Sequence, residues 1–302
     1  MKIIHKVLMP TLSGLLFFAF VTPYQAQDSS ITIKGSDTMV ILGQRWAEVY
    51  MKQNPGARVQ VTGGGSGTGI AALLNGTTDI AESSRPMKDK EKEELKAKTG
   101  KEAVETSVAV DGLAIYLHSS NPVKELTLDQ VKQIYTGKIT NWKEVGGKDA
   151  KIILYSRENN SGTYVYFKEH VLQNADFHPS AQTLPGTAAV TNAVSKDPKS
   201  IGYGGIAYDK SIRHALVKKD ADSPAIEPNM ENVLSGKYPI SRNLYWYTAG
   251  TPAGEIKKLV DWALGAEGQK LVESVGYYPL PKAAPAVPKV SSAKKPQATK
   301  KK

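Results

Sequence analysis

The sequence predicts an α/β fold with a mostly parallel sheet, because three strand–loop–helix units follow one another near its start. Each unit joins a short apolar strand to a loop rich in Gly, Ser or Thr and then to a segment with helical spacing of apolar residues. Residues 105–117 form an apolar strand longer than one small sheet needs, which predicts a crossing into a second domain. Residues 244–248 predict the return crossing.

The three units are predicted in order along the chain. They are a strand at 30–34, a turn at 35–39 and a helix at 42–50 ended by Asn54-Pro55-Gly56; a strand at 58–62, a loop at 63–69 and a helix at 70–74; and a strand at 79–82, a turn at 83–86 and a charged helix at 88–98. Loops at the carboxyl ends of parallel strands are where such sheets bind ligands. We therefore expect these three loops to lie together.

Between the two crossings and after the second, the same patterns predict further elements. They are a helix at 128–135, a turn at 141–147, a strand at 152–155, a helix at 164–172, a helix at 188–194, a glycine-rich strand at 201–208, and terminal helices over 256–272 interrupted near Gly265 to Gly268.

The two ends of the chain differ from its body. Lys2 and Lys6 precede an apolar segment at 7–21, which is typical of a secretory signal peptide and predicts one at residues 1–26. Tyr24 stands where a small residue is preferred for cleavage after Ala26, so an uncleaved anchor stays open as an alternative. Residues 282–302 are rich in Ala, Pro and Lys without periodicity, which predicts a disordered tail.

The net charge of +10 is concentrated in those ends. The segment after Leu280 holds seven lysines and no acid, and the first 26 residues hold two lysines and no acid, which leaves +1 for residues 27–280. The high pI therefore does not indicate a nucleic-acid-binding fold, and we expect no nucleic acid as partner. The chain has no cysteine, which excludes disulfides, thiolate metal sites and a cysteine nucleophile.

Nucleotide-binding and catalytic motifs fit poorly. The glycine run at 63–69 has no lysine before Leu74, so it is not a phosphate-cradling P-loop. Residues 67–72 match G-x-G-x-x-A, but Asp79 comes too early to be the acid of a dinucleotide site. No histidine stands in a recognisable catalytic or metal-binding pattern. We expect no cofactor, no metal and no enzymatic activity.

Residues 156–164, Ser-Arg-Glu-Asn-Asn-Ser-Gly-Thr-Tyr, lie between a buried strand and a helix and suit an anion. Ser161 or Gly162 can cap the helix, whose first backbone N–H groups then face outward. Those donors, the hydroxyls of Ser161 and Thr163 and the positive helix end favour negative charge, and Arg157 can reach it with a bidentate fork. The alternative is a capped helix with a surface arginine. Together with the three earlier loops, the segment predicts a site for a tetrahedral oxyanion.

These loops resemble the PstS family, the periplasmic phosphate-binding proteins of phosphate ABC importers. The resemblance covers residues 30–280 and is carried by Gly35-Ser36-Asp37-Thr38, Gly64-Gly65-Ser66-Gly67, residues 79–86, and Arg157 with Ser161-Gly162-Thr163. It implies a periplasmic-binding-protein type II fold with two lobes, each a mixed sheet flanked by helices, and a ligand in the cleft between them. Lobe I is then residues 27–109 and 241–281, and lobe II is residues 110–240.

The resemblance also implies the ligands and the partners. The phosphate ligands that the resemblance implies are Asp37, Thr38, Ser66, Arg157, Ser161, Gly162 and Thr163, and we add Ser84 and Arg85 to the predicted set for the reason given below. The implied partners are inorganic phosphate and the permease subunits of an ABC importer, and the protein is expected to be a periplasmic monomer. Open alternatives are a receptor for sulfate or molybdate, an exported phosphatase on a similar scaffold, and an adhesive surface protein that uses the lysine-rich tail.

One position departs from the family pattern. Well-known members have an aspartate, which accepts the proton of hydrogen phosphate, where this chain has Ser84 followed by Arg85. Our hypothesis is that Asp37 takes over the acceptor role and that Arg85 adds a second charged donor. Two alternatives stay open: the Ser84 hydroxyl accepts the proton, or Asp37 only caps the helix that follows Thr38.

Overall fold

The computed structural model describes residues 30–281, so the predicted signal peptide and the predicted tail lie outside the described residues. This part of the chain forms ten strands and nine α-helices. The strands are Ser30–Gly35 (β1), Arg58–Thr62 (β2), Ile80–Ser83 (β3), Ala103–Leu117 (β4), Glu125–Thr127 (β5), Ile153–Arg157 (β6), Gln182–Leu184 (β7), Ser200–Gly205 (β8), Arg213–Lys218 (β9) and Ser241–Ala249 (β10).

The helices follow the strands in alternation over the first half of the chain. They are Val40–Gln53 (α1), Ser66–Leu74 (α2), Asp89–Thr99 (α3), Leu128–Tyr135 (α4), Gly162–His170 (α5), Gly186–Lys196 (α6), Met230–Leu234 (α7), Gly254–Leu264 (α8) and Ala266–Val275 (α9), with short 3-10 turns at Trp142–Val145 and Ile206–Ser211. None of the helices within residues 30–281 is long and apolar enough to cross a membrane.

The strands form one mixed sheet in the order β2-β1-β3-β10-β4-β8-β6-β7, with β9 on β4 and β5 on β9. Neighbours within β2-β1-β3 are parallel, as predicted from the three strand–loop–helix units, and neighbours within β8-β6-β7 are parallel as well. The pairings of β10 with β3 and β4, and of β4 with β8, are antiparallel. The antiparallel pairs arise because β4 and β10 run in opposite directions between the two halves of the molecule.

Strand β4 belongs to both halves. Its residues 103–112 pair with β10, and its residues 113–117 pair with β8. The predicted crossing and return crossing are therefore β4 and β10. The predicted lobe boundaries, 109/110 and 240/241, fall inside β4 and directly before β10, and they stay a prediction.

Buried aromatic residues hold each half together. In the first half the Trp46 and Trp246 rings meet edge to face at 5.0 Å, and the Trp46 indole N–H donates to the carbonyl of Gly268, which ties α1 to α9. In the second half Phe167 stacks on Tyr203 at 3.9 Å. The Tyr203 hydroxyl lies 2.9 Å from Ser156 Oγ, so this stack fixes the end of β6, where the predicted anion-binding segment at 156–164 begins.

Strand β3 begins one residue later than predicted. Both carboxylate bonds of Asp79 go to Thr32, whose backbone N–H and hydroxyl donate to Asp79 Oδ2 at 2.7 and 2.8 Å. The Asp79 carboxylate thus accepts the backbone N–H of Thr32, which would otherwise donate to a backbone carbonyl of the neighbouring strand.

Candidate functional site

Four loops meet between the two lobes, and each follows the carboxyl end of a strand. Those after β1, β2 and β3 come from lobe I, and the one after β6 comes from lobe II. Three of these loops lead into helices whose first turn faces the meeting point, namely α1, α2 and α5. This is the ligand-binding edge that parallel strands create.

Gly162 shows how closely the loops approach one another. A Cβ atom on Gly162 would lie 2.3 Å from Ser66 Oγ and 2.7 Å from Ser84 Oγ, so a glycine is required at this position. Ser84 N–H donates to Ser66 Oγ at 3.1 Å, and Ser36 Oγ donates to Ser84 Oγ at 2.9 Å. The hydroxyls of lobe I are therefore in direct contact with the start of α5 from lobe II.

The start of α5 supplies donors from lobe II. Ser161 is its N-cap and accepts from the backbone N–H of Tyr164 at 3.4 Å, which decides between the two predicted caps. Gly162 and Thr163 are the first helical residues, whose N–H groups have no partner within the helix. Thr163 Oγ1 lies 2.9 Å from Thr38 Oγ1 of lobe I, and both side chains are buried.

Arg157 lies at the end of β6 with its side chain 1 % exposed, so the alternative of a surface arginine is wrong. Its Nη2 donates to Asp37 Oδ2 and its Nη1 donates to Thr187 Oγ1, each at 2.8 Å. Burial lowers the pKa of the guanidinium, and the Asp37 carboxylate opposes that shift. The cation is thus held in a fixed orientation by one group from each lobe.

Thr187 is a residue that the sequence analysis missed. It is the second residue of α6, which begins two residues before the predicted helix. The available signal was the pattern already used elsewhere in the chain, a glycine followed by a hydroxyl residue at a helix start. What the sequence could not show is that α6 packs beside β6, where Thr187 reaches Arg157.

Asp37 joins the two lobes with both carboxylate oxygens. Oδ1 accepts from the backbone N–H of Gly64 at 2.8 Å, and Oδ2 accepts from Arg157. The N-cap residue of α1 is Met39, and no side chain caps this helix. The alternative in which Asp37 only caps that helix is therefore wrong.

Arg85 does not join the other site residues. Its Nη1 and Nη2 donate to the two carboxylate oxygens of Glu91 at 2.8 and 2.7 Å, and Nη1 also donates to the carbonyl of Pro86. The guanidinium thus packs against the first turn of α3 instead of serving the loops between the lobes. The expectation that Arg85 adds a second charged donor is corrected by this contact, which depends on how α3 folds back on the turn.

Asn160 holds the lobes together without belonging to the predicted ligand set. Its carbonyl accepts from Gly67 N–H at 2.9 Å, and its Nδ2 donates to Gly64 O and Thr68 Oγ1 at 3.0 Å each. A Cβ on Gly65, whose φ is +92°, would lie 2.9 Å from the Asn160 carbonyl oxygen. The glycine-rich loop is therefore shaped to receive Asn160, and the lobes are closed in this structure.

The assembled site offers many donors and one carboxylate. Hydroxyls of Ser36, Thr38, Ser66, Ser84 and Thr163 converge with the first N–H groups of α2 and α5 and with Arg157. Such a set can replace the hydration shell of a tetrahedral oxyanion. Within residues 30–281 no group of three or more His, Asp or Glu side chains is arranged to hold a metal ion.

Glu82 is a buried acid directly behind this site. It lies in β3 with no exposed surface, and within residues 30–281 its carboxylate makes no well-formed hydrogen bond; the indole N–H of Trp246 stabilises the charged form only in part. Burial raises its pKa to about 8, and the nearby Asp37 carboxylate adds to that shift. Glu82 is thus protonated in the folded protein at neutral pH.

The raised pKa predicts a pH-dependent stability. The unfolded chain ionises Glu82 near 4.5 and the folded chain near 8, so its contribution is fully present below pH 4.5 and is lost as the pH rises to about 8. Between these values the free energy of unfolding should fall by about 1.4 kcal/mol per pH unit relative to Glu82→Gln. Urea unfolding of both proteins across this range measures it. A difference that does not change with pH would contradict the assignment.

Comparisons with known proteins show the family to which this chain belongs. Residues 21–267 match a family model described as a PBP superfamily domain. The chain is 37% identical over 264 residues to the phosphate-binding protein PstS of Pseudomonas aeruginosa, covering 82% of each chain. The chain belongs to the PstS family of the PBP superfamily. The resemblance drawn from the loop motifs is thereby confirmed.

Further relatives of the PstS family support the fold. PstS of Bacillus subtilis is 35% identical over 83% of this chain and 81% of its own length. A crystal structure with bound phosphate, of a candidate phosphate ABC transporter substrate-binding protein from Clostridium perfringens, has a TM-score of 0.76 and 33% identity over 83% of this chain and all of that chain. An ABC-type phosphate transport receptor from Vibrio cholerae has a TM-score of 0.66 and 31% identity over 82% of this chain and 99% of its own. The predicted two-lobed α/β fold class is confirmed.

Proposed function

We propose that this protein is an exported, non-catalytic receptor that captures inorganic phosphate between its two lobes and delivers it to the permease of an ABC importer. One observation carries the proposal. The hydroxyls of Ser66 and Ser84 in one lobe lie directly against Gly162 at the helix start of the other lobe, beside Arg157. The relatives in Pseudomonas aeruginosa and Bacillus subtilis are phosphate-binding proteins by name, which supports phosphate as the ligand.

The proposed ligands are eight of the nine predicted residues, without Arg85. They are Asp37, Thr38, Ser66, Ser84, Arg157, Ser161, Gly162 and Thr163. The hydroxyls, the arginine and the helix start supply donors to the anion, and Asp37 accepts the proton that hydrogen phosphate carries. A fully deprotonated anion such as sulfate has no proton for that carboxylate, and the unrelieved repulsion lowers its affinity.

The proposed function includes a location and a partner for this protein. The signal peptide predicted at residues 1–26 takes the chain to the periplasm, where it acts as a monomer. Binding closes the lobes about the crossing strands β4 and β10, and the closed form is what the permease recognises.

Isothermal titration of phosphate into phosphate-stripped protein, with sulfate and molybdate as competitors, tests the proposal. Tight one-to-one binding that excess sulfate leaves intact is the expected result. Displacement by sulfate or molybdate would assign the site to that oxyanion, and absence of heat with all three would reject the site. Export is tested separately by following the processed chain in the periplasmic fraction.

The Asn160 contacts predict how long phosphate stays bound. Asn160→Ala removes the two bonds that Nδ2 donates across the closed cleft, to Gly64 and Thr68. Since these bonds exist only between closed lobes, phosphate should leave about tenfold faster, while its association rate changes less than about twofold. Stopped-flow measurement of both rates checks this.

Asn159→Ala is the matched control for that measurement, since Asn159 is the exposed neighbour of Asn160. Its release rate should equal that of the wild type. Equal acceleration in both variants would show that the loop, not the Asn160 contacts, sets the rate.

A further inference from the structure

A buried ion pair joins the two crossing strands directly behind the site. Arg242 of β10 lies opposite Asp111 of β4 in the strand register, and their side chains are 2 % and 0 % exposed. Arg242 donates from Nε and Nη2 to Asp111 Oδ2 at 3.0 and 2.8 Å. Asp111 Oδ1 accepts from the backbone N–H of Ile206 at 3.1 Å. The carboxylate therefore fixes the plane of the guanidinium.

The same guanidinium reaches the site. Arg242 Nη2 donates to Thr163 Oγ1 at 3.0 Å, and its Cζ atom lies 5.3 Å from the centre of the Tyr166 ring, so α5 covers the cation on two sides. Its Nη1 is buried and has no hydrogen-bond partner among the described residues. The arginine is thus placed to act on Thr163, although it was absent from the predicted ligands.

The hydrogen bond from Arg242 limits the directions in which the Thr163 hydroxyl hydrogen can point. Thr163 Oγ1 has one hydrogen and two lone pairs, and Arg242, which can only donate, occupies one lone pair. The Thr163 hydrogen must point elsewhere, either to Thr38 Oγ1 or to an anion. If it points to Thr38, the hydrogen of Thr38 is the one left over. In either arrangement this pair of hydroxyls keeps one hydrogen to donate to an anion.

We propose that Arg242 is a positioning residue that sets the Thr38–Thr163 hydroxyl pair as a donor to bound phosphate, with Asp111 holding the guanidinium in place. The inference rests on the proposed function and deepens it. It divides the site into a donor side, polarised by Arg242 through Thr163, and an acceptor side at Asp37. The anion then turns its unprotonated oxygens toward Thr38 and Thr163.

A double-mutant cycle on phosphate affinity tests the proposal. Arg242→Gln is combined with Asp111→Asn so that no unpaired charge is buried, and the pair is introduced with and without Thr163→Val, which removes the hydroxyl at nearly constant shape. We expect the pair to raise the phosphate Kd about tenfold when Thr163 is present and less than about twofold in the Thr163→Val background.

A purely structural ion pair gives a different result. It would weaken binding by the same factor in both backgrounds, and that outcome would overturn the proposal. Circular dichroism and thermal melting establish that each variant is folded. If the combined variant does not fold, Arg242→Lys replaces it, since lysine keeps the charge opposite Asp111 but lacks the planar fork that serves Asp111 and Thr163 together. The same two outcomes then decide.

The wild-type titration separates this inference from the proposed function. Absence of phosphate binding by the wild type would reject the proposed function and the role of Arg242 with it. Tight wild-type binding combined with equal losses in both backgrounds would reject only the role of Arg242.

Discussion

Replacing Arg157 by methionine should weaken phosphate binding about a thousandfold, a loss of roughly 4 kcal/mol. The guanidinium is buried between Asp37 and Thr187, and it is the one arginine of the predicted ligand set whose Nη atoms face the loops between the lobes. Its removal deletes a charge-assisted donor and leaves the Asp37 carboxylate unopposed, so that the carboxylate repels an incoming anion. Isothermal titration at constant salt measures the loss.

Arg85→Met is the matched control for this experiment. The two arginines were predicted together, but the guanidinium of Arg85 is bound to Glu91 on the far side of its turn. Phosphate affinity of Arg85→Met should stay within about threefold of the wild type, while its melting temperature falls because Glu91 loses its partner. Similar losses of affinity in both variants would return Arg85 to the ligand set.

Asp37→Asn should lower the preference for phosphate over sulfate about a hundredfold. The carboxylate is the proposed acceptor for the proton of hydrogen phosphate, and an asparagine both accepts less strongly and no longer repels sulfate. Phosphate should therefore bind more weakly and sulfate more tightly. Competition titrations with both anions give the ratio directly.

Ser84→Ala distinguishes this role from the alternative in which Ser84 accepts the proton. Ser84 Oγ already accepts from Ser36, so its own hydrogen can be donated either to an anion or to Ser66 Oγ, which lies 3.4 Å away. The alanine variant should thus weaken both anions by a similar factor and keep the selectivity. If Ser84→Ala changes the ratio and Asp37→Asn does not, the acceptor is Ser84. If Asp37→Asn weakens both anions equally, Asp37 serves only to orient Arg157.

The anion-binding loops were predictable from the sequence because the groups that suit an anion come from residues adjacent to one another in the chain. Glycine and hydroxyl residues between a strand and a helix start offer backbone N–H and hydroxyl donors that suit an anion, and the Ser161-Gly162-Thr163 start of α5 provides these donors from its own local sequence. The alternation of strands and helices likewise determined that the loops lie at one edge of the sheet. The oxyanion class and the family thus follow from the sequence.

The partners of individual charges were decided by the tertiary structure alone. Arg157 is the last residue of β6 and Arg85 lies two residues after β3, so both stand at the carboxyl end of a short strand. Arg85 nevertheless pairs with Glu91 because α3 packs back on its turn, whereas Arg157 pairs with Asp37 because the lobes are closed. Asp111 and Arg242 are 131 positions apart in the chain, and only the pairing of the two crossing strands brings them together behind Thr163. Local composition selects which groups can bind an anion. Which of these groups face the anion depends on contacts between distant segments of the chain. A buried charged side chain pairs with an opposite charge that the packing of those segments brings next to it.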